Sequence, residues 1–291
     1  MKADAAILIL CVESAEIVLD TIHSVEHYCK ANIELILVDD GTKHRLDKSL
    51  LKHKKNNWHI IRNEKNRGRN RMNYSIAKGL RYFLSNIDAP ILLKLDVDAL
   101  IINPGVLNQA LDYHQRNQKV GMFGVYEVDY NRPRSFKNHE NTISRKTSWI
   151  RRLFHLSPQW TDMLRKAEKN GYVRGDNVFG GAYFLTRNCI ISMEQIGALN
   201  VSLSRLSTLS EDVYFSMATL ASGFSMGHFA FPSGPLILEW KGLPFPAAKL
   251  IEEGHGIVHS VDKGPNTGPE DNEGKTAREV FRKKRETEMN H

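Results

Sequence analysis

The stretch 91-ILLKLDVDALI-101 decides how the chain is read: an apolar run ending in two carboxylates, Asp96 and Asp98, one residue apart. Apolar strands ordinarily hand over to turns through Gly, Asn or a single Asp, residues that suit turn backbone. On an extended segment, residues two apart point to the same side. Two carboxylates so placed can hold a hard divalent cation through one or two oxygens, leaving other positions for water and diphosphate. The competing reading is a strand end whose acids are neutralised by nearby Arg. Spacing alone leaves both open.

Outward from this stretch, strand-like and helix-like segments alternate. AAILILCV (5–12) is an apolar run of strand length, and residues 14–29 place Ile17, Val18, Thr21, Ile22 and Val25 at helical spacing. ELILVDDG (34–41) is a second strand that stops at an Asp-Gly turn, and WHIIRN (58–63) is a third. Asn70 to Leu84 reads as an amphipathic helix through Met72, Ile76, Leu80 and Phe83. The opening stretch is then a fourth strand, followed by a helix over 103–117 with Pro104 near its start, and by KVGMFGVYEV (119–128). This rhythm predicts an α/β fold, a mostly parallel central sheet with helices on both faces.

The second half is less regular. Residues 129–175 are polar, basic and aromatic, without clear periodicity until TDMLRKAEKNG (161–171). VFGGAYFLT (178–186) reads as a strand entered through a Gly-Gly pair, and 210–223 as a helix capped by Ser210 and closed by Gly223. After GIVHSV (256–261) the chain turns Gly/Pro/Asn-rich and ends in a short charged helix, expected to be solvated.

The 291 residues carry a net charge of +7, with ordinary hydrophobic (41%) and charged (25%) content for a globular protein. A basic surface suits nucleic acid, an anionic membrane or a phosphorylated small molecule, and charge does not choose among them. No nucleic-acid motif accompanies it. Cys11, Cys29 and Cys189 form neither a disulfide framework nor a CxxC pair, which fits a reducing cytosol. The apolar run after Asp4 is too short for a signal peptide, and no segment has the length to span a bilayer. The expectation is a cytoplasmic protein.

In open α/β sheets, ligands bind at the carboxyl ends of the parallel strands. Four strands here end in polar residues: Glu13, Asp39 with Asp40, Asn63, and Asp96 with Asp98. A parallel sheet would bring all of them to one edge.

LILVDDGT, NRGRNRMNYSIAKG, KLDVDA, GGAYFLTR and SEDVYFSMATLASGF occur in this order between residues 35 and 224. In this the chain resembles GT-A-fold glycosyltransferases, most like glycosyltransferase family 2, over roughly residues 5–260. The resemblance implies transfer of a sugar from a nucleotide diphosphate-sugar, first a UDP-sugar, to an acceptor hydroxyl. It implies inversion by direct displacement, a Mn²⁺ or Mg²⁺ cofactor, and a place in glycan or polysaccharide biosynthesis. A retaining transferase, and a non-catalytic glycan- or nucleotide-binding protein on the same fold, are the alternatives. A sugar nucleotidyltransferase is disfavoured, because CVESAEIV (11–18) lacks a Gly-rich phosphate loop.

The same resemblance distributes roles. Asp40 would accept a hydrogen bond from the base, usually uracil. Cys11, Val12 and Glu13 occupy the strand end that packs on the nucleoside, but depart from the family's usual P-x-Y-N. Asn66, Gly68 and Asn73 match the segment that closes over the nucleotide. Asp98 would be the direct metal ligand, and Asp96 would lie near the ribose or a metal-bound water. Gly180 and Gly181 would pass close to the donor sugar. Glu211 and Asp212 match the acidic pair whose Asp deprotonates the acceptor. His259 would complete the metal site, with His255 as a competitor. On this reading residues 1–128 are the nucleotide-binding half and 129–262 the acceptor-binding half of one domain, with 263–291 a flexible linker and charged helix. The partners are a nucleotide-sugar donor and a glycan or lipid-linked acceptor, with no nucleic acid. RKTSWIRRLFHLSPQW (145–160) is a candidate for peripheral contact with the inner membrane face, for an acceptor flap, or for ordinary packing.

Overall fold

The N-terminal apolar run forms β1 (Ala5–Cys11), buried at every position. Alternation along the strand explains this: Ala6, Leu8 and Leu10 enter the core on one side, and Ala5, Ile7, Ile9 and Cys11 the core on the other. The computed structural model describes residues 2–41, 57–66, 72–129, 132–134, 136, 140–141, 143, 158–200, 209–230, 235–262 and 276–290. Gly68, the linker 263–275 and residues 145–157 of the Arg/Trp segment lie outside them.

After β1 come α1 (Ala15–Tyr28), β2 (Ile33–Asp39), β3 (Asn57–Arg62), α2 (Met72–Asn86) and β4 (Ile91–Leu95). Ser14 starts α1 by accepting from the Ile17 amide. The four strands are parallel in the order β3-β2-β1-β4, with Cys11 opposite Asp39 and Asp39 opposite Arg62. Their carboxyl ends therefore share one edge. The strand order reverses between β1 and β4, where such sheets leave a crevice.

The sheet continues through β6 (Val120–Gly124) and, past a separate short hairpin of β7 (Val128–Asp129) and β8 (Arg132–Pro133), through β9 (Ala182–Thr186) and β10 (Ser225–His228). β9 lies between β4 and β6 and is antiparallel to both, while β10 is parallel to β6, giving seven strands in the order β10-β6-β9-β4-β1-β2-β3. The helices are α3 (Val106–Arg116), α4 (Pro158–Lys169), α5 (Arg187–Gln195) and α6 (Glu211–Ala221). The mostly parallel α/β sheet expected from the sequence is what the chain forms.

Two sequence expectations are corrected. Residues 91–101 are not one strand. β4 ends at Leu95; the Asp96 amide donates to the Gly181 carbonyl (2.9 Å) and the Ala99 amide to the Asp96 carbonyl (3.1 Å), closing a turn. The chain then enters β5 (Ala99–Ile101), which joins a separate three-stranded sheet with β11 (Leu236–Leu238) and β12 (Ile257–His259). The apolar pattern runs straight through because both strands are buried, so periodicity alone cannot show the break.

Nor is the C-terminal helix, α8 (Ala277–Met289), solvated. Ala277 and Phe281 join a third core with Leu100, Val258 and residues of α7 (Ala247–Glu252). Burying a side chain such as Phe281 stabilises the docked helix by about 1.5–3 kcal/mol. Charge along the sequence hid this face, because Arg278 and Arg285 are themselves buried against Asp20 of α1.

Candidate active site

The turn after β4 and the end of β12 meet through the β5–β12 pairing, which places His259 opposite Ala99. The result is a three-residue group, Asp96, Asp98 and His259, whose ligand atoms all lie within 4.8 Å of one another. Nδ1 of His259 lies 2.9 Å from the Glu239 carbonyl, which can only accept, so Nδ1 carries the proton. Nε2 then faces Asp98 Oδ1 at 3.2 Å. In that position its lone pair is available to a cation shared with Asp98. Ser260 Oγ donates to Asp98 Oδ2 (2.9 Å) and fixes the carboxylate plane. Two carboxylates and an imidazole oriented from behind make a donor set that fits a divalent ion.

Gly181 is required by this arrangement. A Cβ there would lie 2.5 Å from Cγ of His259, so only a bare backbone lets β9 pass the imidazole. Gly180 makes the same allowance for Glu211, whose Oε1 a Cβ would meet at 2.7 Å. His255, the competing ligand, is buried elsewhere, with Nε2 3.1 Å from Glu253. The two glycines beside it leave it in a turn that does not reach the group.

Behind the group sits Lys94, fully buried in the middle of the sheet. Its Nζ donates to Asp96 Oδ1 (2.7 Å), Glu211 Oε1 (2.7 Å) and the Gly180 carbonyl (2.5 Å). Burial alone would lower the lysine pKa, but Asp96 and Glu211 outweigh it and hold it above its ordinary value. Glu211 also accepts from the Tyr183 hydroxyl (2.8 Å). Burial pushes its carboxyl up to about 7, against the pull of Lys94. Glu211 was expected beside Asp212 in the catalytic position; the structure buries it against Lys94 and Tyr183. The reason is helical geometry, because adjacent residues at the start of α6 point in different directions. Asp212 keeps the half-buried position, where its Oδ2 accepts from Asn177 Nδ2 (3.0 Å). Arg134 Nη2 in turn donates to Asn177 Oδ1 (2.8 Å). Ser210 marks the helix start but makes no side-chain cap bond.

Along the edge toward β3, the two acids where β2 ends, Asp39 and Asp40, are engaged. Asp39 pairs with Arg62. Asp40 Oδ1 accepts from Asn63 Nδ2 (2.7 Å) and Ser75 Oγ (2.7 Å), and Lys78 donates to Asn63 Oδ1 (2.9 Å). Gly41, at φ +73°, brings its Cα against the Lys65–Asn66 peptide; a Cβ would fall 2.4 Å from the Asn66 amide nitrogen. Asn66 is exposed beside this turn, and Asn73 is buried with its Nδ2 on the Leu209 carbonyl (3.2 Å). Val12 and Glu13 are exposed at the crevice, but Cys11 is not. Its side chain is buried in the core below the sheet, where burial raises the thiol pKa, so only its backbone reaches the edge.

Sequence reasoning missed Lys94, Asn177, Ser260 and Glu239. Lys94 had a signal, a lone charge in an otherwise apolar strand. The other three act through backbone or short side chains that no spacing rule marks.

A family model described as Glycosyl transferase family 2 matches residues 6–172. Among solved structures, the chain is similar to the mannosyltransferase PcManGT from Pyrobaculum calidifontis in complex with GDP-Man and Mn²⁺, at 12% identity and a TM-score of 0.49. That alignment covers 90% of this chain and 58% of the other. At this level of likeness nothing about substrate carries across. The curated proteins contain no match. Among the described residues, no helix is long and apolar enough to cross a membrane.

Proposed function

The chain belongs to glycosyl transferase family 2, and from that premise we propose that it transfers a sugar from a nucleoside diphosphate donor to an acceptor hydroxyl, with inversion, at the Asp96–Asp98–His259 group. The observation that carries the proposal is the orientation of His259. Its proton is committed to the Glu239 carbonyl, which turns Nε2 toward Asp98 and makes a ligand position of it. Asp96, Asp98 and His259 would hold a divalent ion, Mn²⁺ in preference to Mg²⁺ given the imidazole. When bound, such an ion supplies positive charge to a departing diphosphate.

The remaining roles belong to the chain's own side chains. Asp212 takes the proton of the acceptor hydroxyl as its oxygen bonds to the anomeric carbon, and Asn177 holds the carboxylate for this. The bond from that carbon to the diphosphate oxygen breaks on the opposite side, which inverts the configuration. Lys94 and Glu211 do not touch the reacting atoms; they fix the backbone at Gly180 and the start of α6. At the far edge, Asp40, Asn63 and Ser75 form a polar floor for the base, with uridine the first nucleoside to test. The acceptor would be a glycan or lipid-linked glycan in polysaccharide or related biosynthesis.

The test is calorimetry of the full chain against UDP, GDP, CDP and dTDP, each with and without Mn²⁺. One of them binds, and binding depends on the metal. No binding in any arm would falsify the proposal. With the matching sugar donor, NMR of the product reads inversion directly; a product that keeps the donor's configuration makes the enzyme a retaining one.

A further inference from the structure

The metal-binding group comes from two distant stretches of chain, the Asp96–Asp98 turn and the segment from His259 to Asp262. One side chain outside both touches each of them. Arg278, in the first turn of α8, donates through Nη2 to the carbonyl of Val97 (2.8 Å), the residue between the two acids. Its Nε and Nη2 also grip Asp262 as a fork, at 2.8 and 2.7 Å. The same short segment returns to the turn, since the Val261 amide donates to the Asp98 carbonyl (2.9 Å). The last nitrogen, Nη1, reaches Asp20 Oδ2 (2.6 Å) on α1, and the neighbouring Thr21 hydroxyl donates to the Val97 carbonyl as well (2.7 Å). The Arg278 side chain is only 7% exposed.

We propose that Arg278 is a positioning residue for the metal group: its guanidinium clamps the Asp96–Asp98 turn to the His259–Asp262 segment, so that α8, which supplies no ligand, sets the spacing of the ligands. The inference rests on the metal-site reading above. A guanidinium is planar and presents its donors in a rigid fork, so one side chain fixes three acceptors in a single frame. Without it, the turn and the strand end would have to be ordered when the ion binds, and that ordering is subtracted from affinity. Lysine at the same place keeps the charge but not the fork.

A merely structural account would have Arg278 anchor α8 to α1, and Arg282 offers the control. It meets Asp20 (3.2 Å) and Glu16 (3.7 Å), both on α1, rather than either ligand-bearing segment. The experiment measures Mn²⁺ binding to the chelator-treated full chain by calorimetry, beside stability in urea. Arg278→Lys weakens Mn²⁺ binding by about 10-fold or more, the range seen when a partner that orients a ligand is lost. Arg282→Ala loosens the contact of α8 with α1 and binds Mn²⁺ as the wild type does. If Arg278→Lys does not fold, Asp262→Asn removes the partner of the fork from the more exposed side and reads the same loss. Wild-type Mn²⁺ affinity in the Arg278 variant, or equal weakening in Arg282→Ala, overturns the proposal and leaves the metal site standing. A wild-type chain that binds no Mn²⁺ overturns the metal reading and this inference together.

Discussion

The turn after β4 and the start of α6 each present two closely spaced acids, and the fold treats them in opposite ways. Across the turn, Asp96 and Asp98 converge and meet His259 within 4.8 Å. At the helix start, Glu211 and Asp212 are adjacent, and successive helical residues project about 100° apart. They therefore diverge: Glu211 goes inward to Lys94 and Tyr183, and Asp212 stays at the half-buried surface with Asn177. One pair comes together at a single point, while the other places one acid inward and one outward. Lys94 joins the two regions, since its ammonium pairs with Asp96 on one side and Glu211 on the other.

Removing one acid from each region produces the largest expected effects. Asp98→Ala removes metal-dependent nucleotide binding. Asp212→Asn preserves that binding and lowers sugar transfer by about 10²–10⁴-fold, the usual contribution of a general base. Calorimetry and a product assay on the same two variants separate these outcomes. Undiminished transfer by Asp212→Asn would show that the helix start holds no base.

Next in size is the link between the regions. Lys94→Met fills the same space without the charge and leaves the buried Glu211 uncompensated. Breaking a buried pair in this way costs about 3–5 kcal/mol, measured by urea unfolding. The pH dependence has a definite sign. Glu211 already sits above its ordinary carboxyl value in the folded chain, at about 7, because of burial. A raised folded pKa means stability present at low pH and lost as pH rises through the folded value. The deficit of Lys94→Met is therefore smallest in mild acid and grows toward and above neutrality. A deficit that does not vary with pH would mean Glu211 is not the acid left bare.

These two regions also show what a sequence can reveal. The polar ends of β1 to β4 were legible because a parallel sheet brings strand ends to one edge, and the register carries it out. His259 could be named but not chosen over His255, because the choice depends on the pairing of β12 with β5, a contact far apart in the chain. The break at Asp96 was invisible for a related reason: both flanking segments are buried, so hydrophobic pattern does not change across it. The inward course of Glu211 was hidden because its partner Lys94 lies far away in the chain. Arg278 and Asp20 lie far apart in sequence, and a charged tail gives no sign that its arginines are buried.

The smallest expected effect tests whether the structural acid is separate from the metal turn. Tyr183 is fully buried, and its hydroxyl donates to Glu211 Oε2 (2.8 Å) while Lys94 holds Oε1. Tyr183→Phe keeps the ring in place and leaves that oxygen without its donor, at a cost of about 1–3 kcal/mol in urea unfolding. Lys94 still pairs with Asp96, so the turn keeps its shape and Mn²⁺ affinity stays at the wild-type level. If Mn²⁺ affinity falls along with stability, Glu211 is coupled to the ligands through Lys94. The two regions would then act as one network, in place of a ligand site standing beside a buried support.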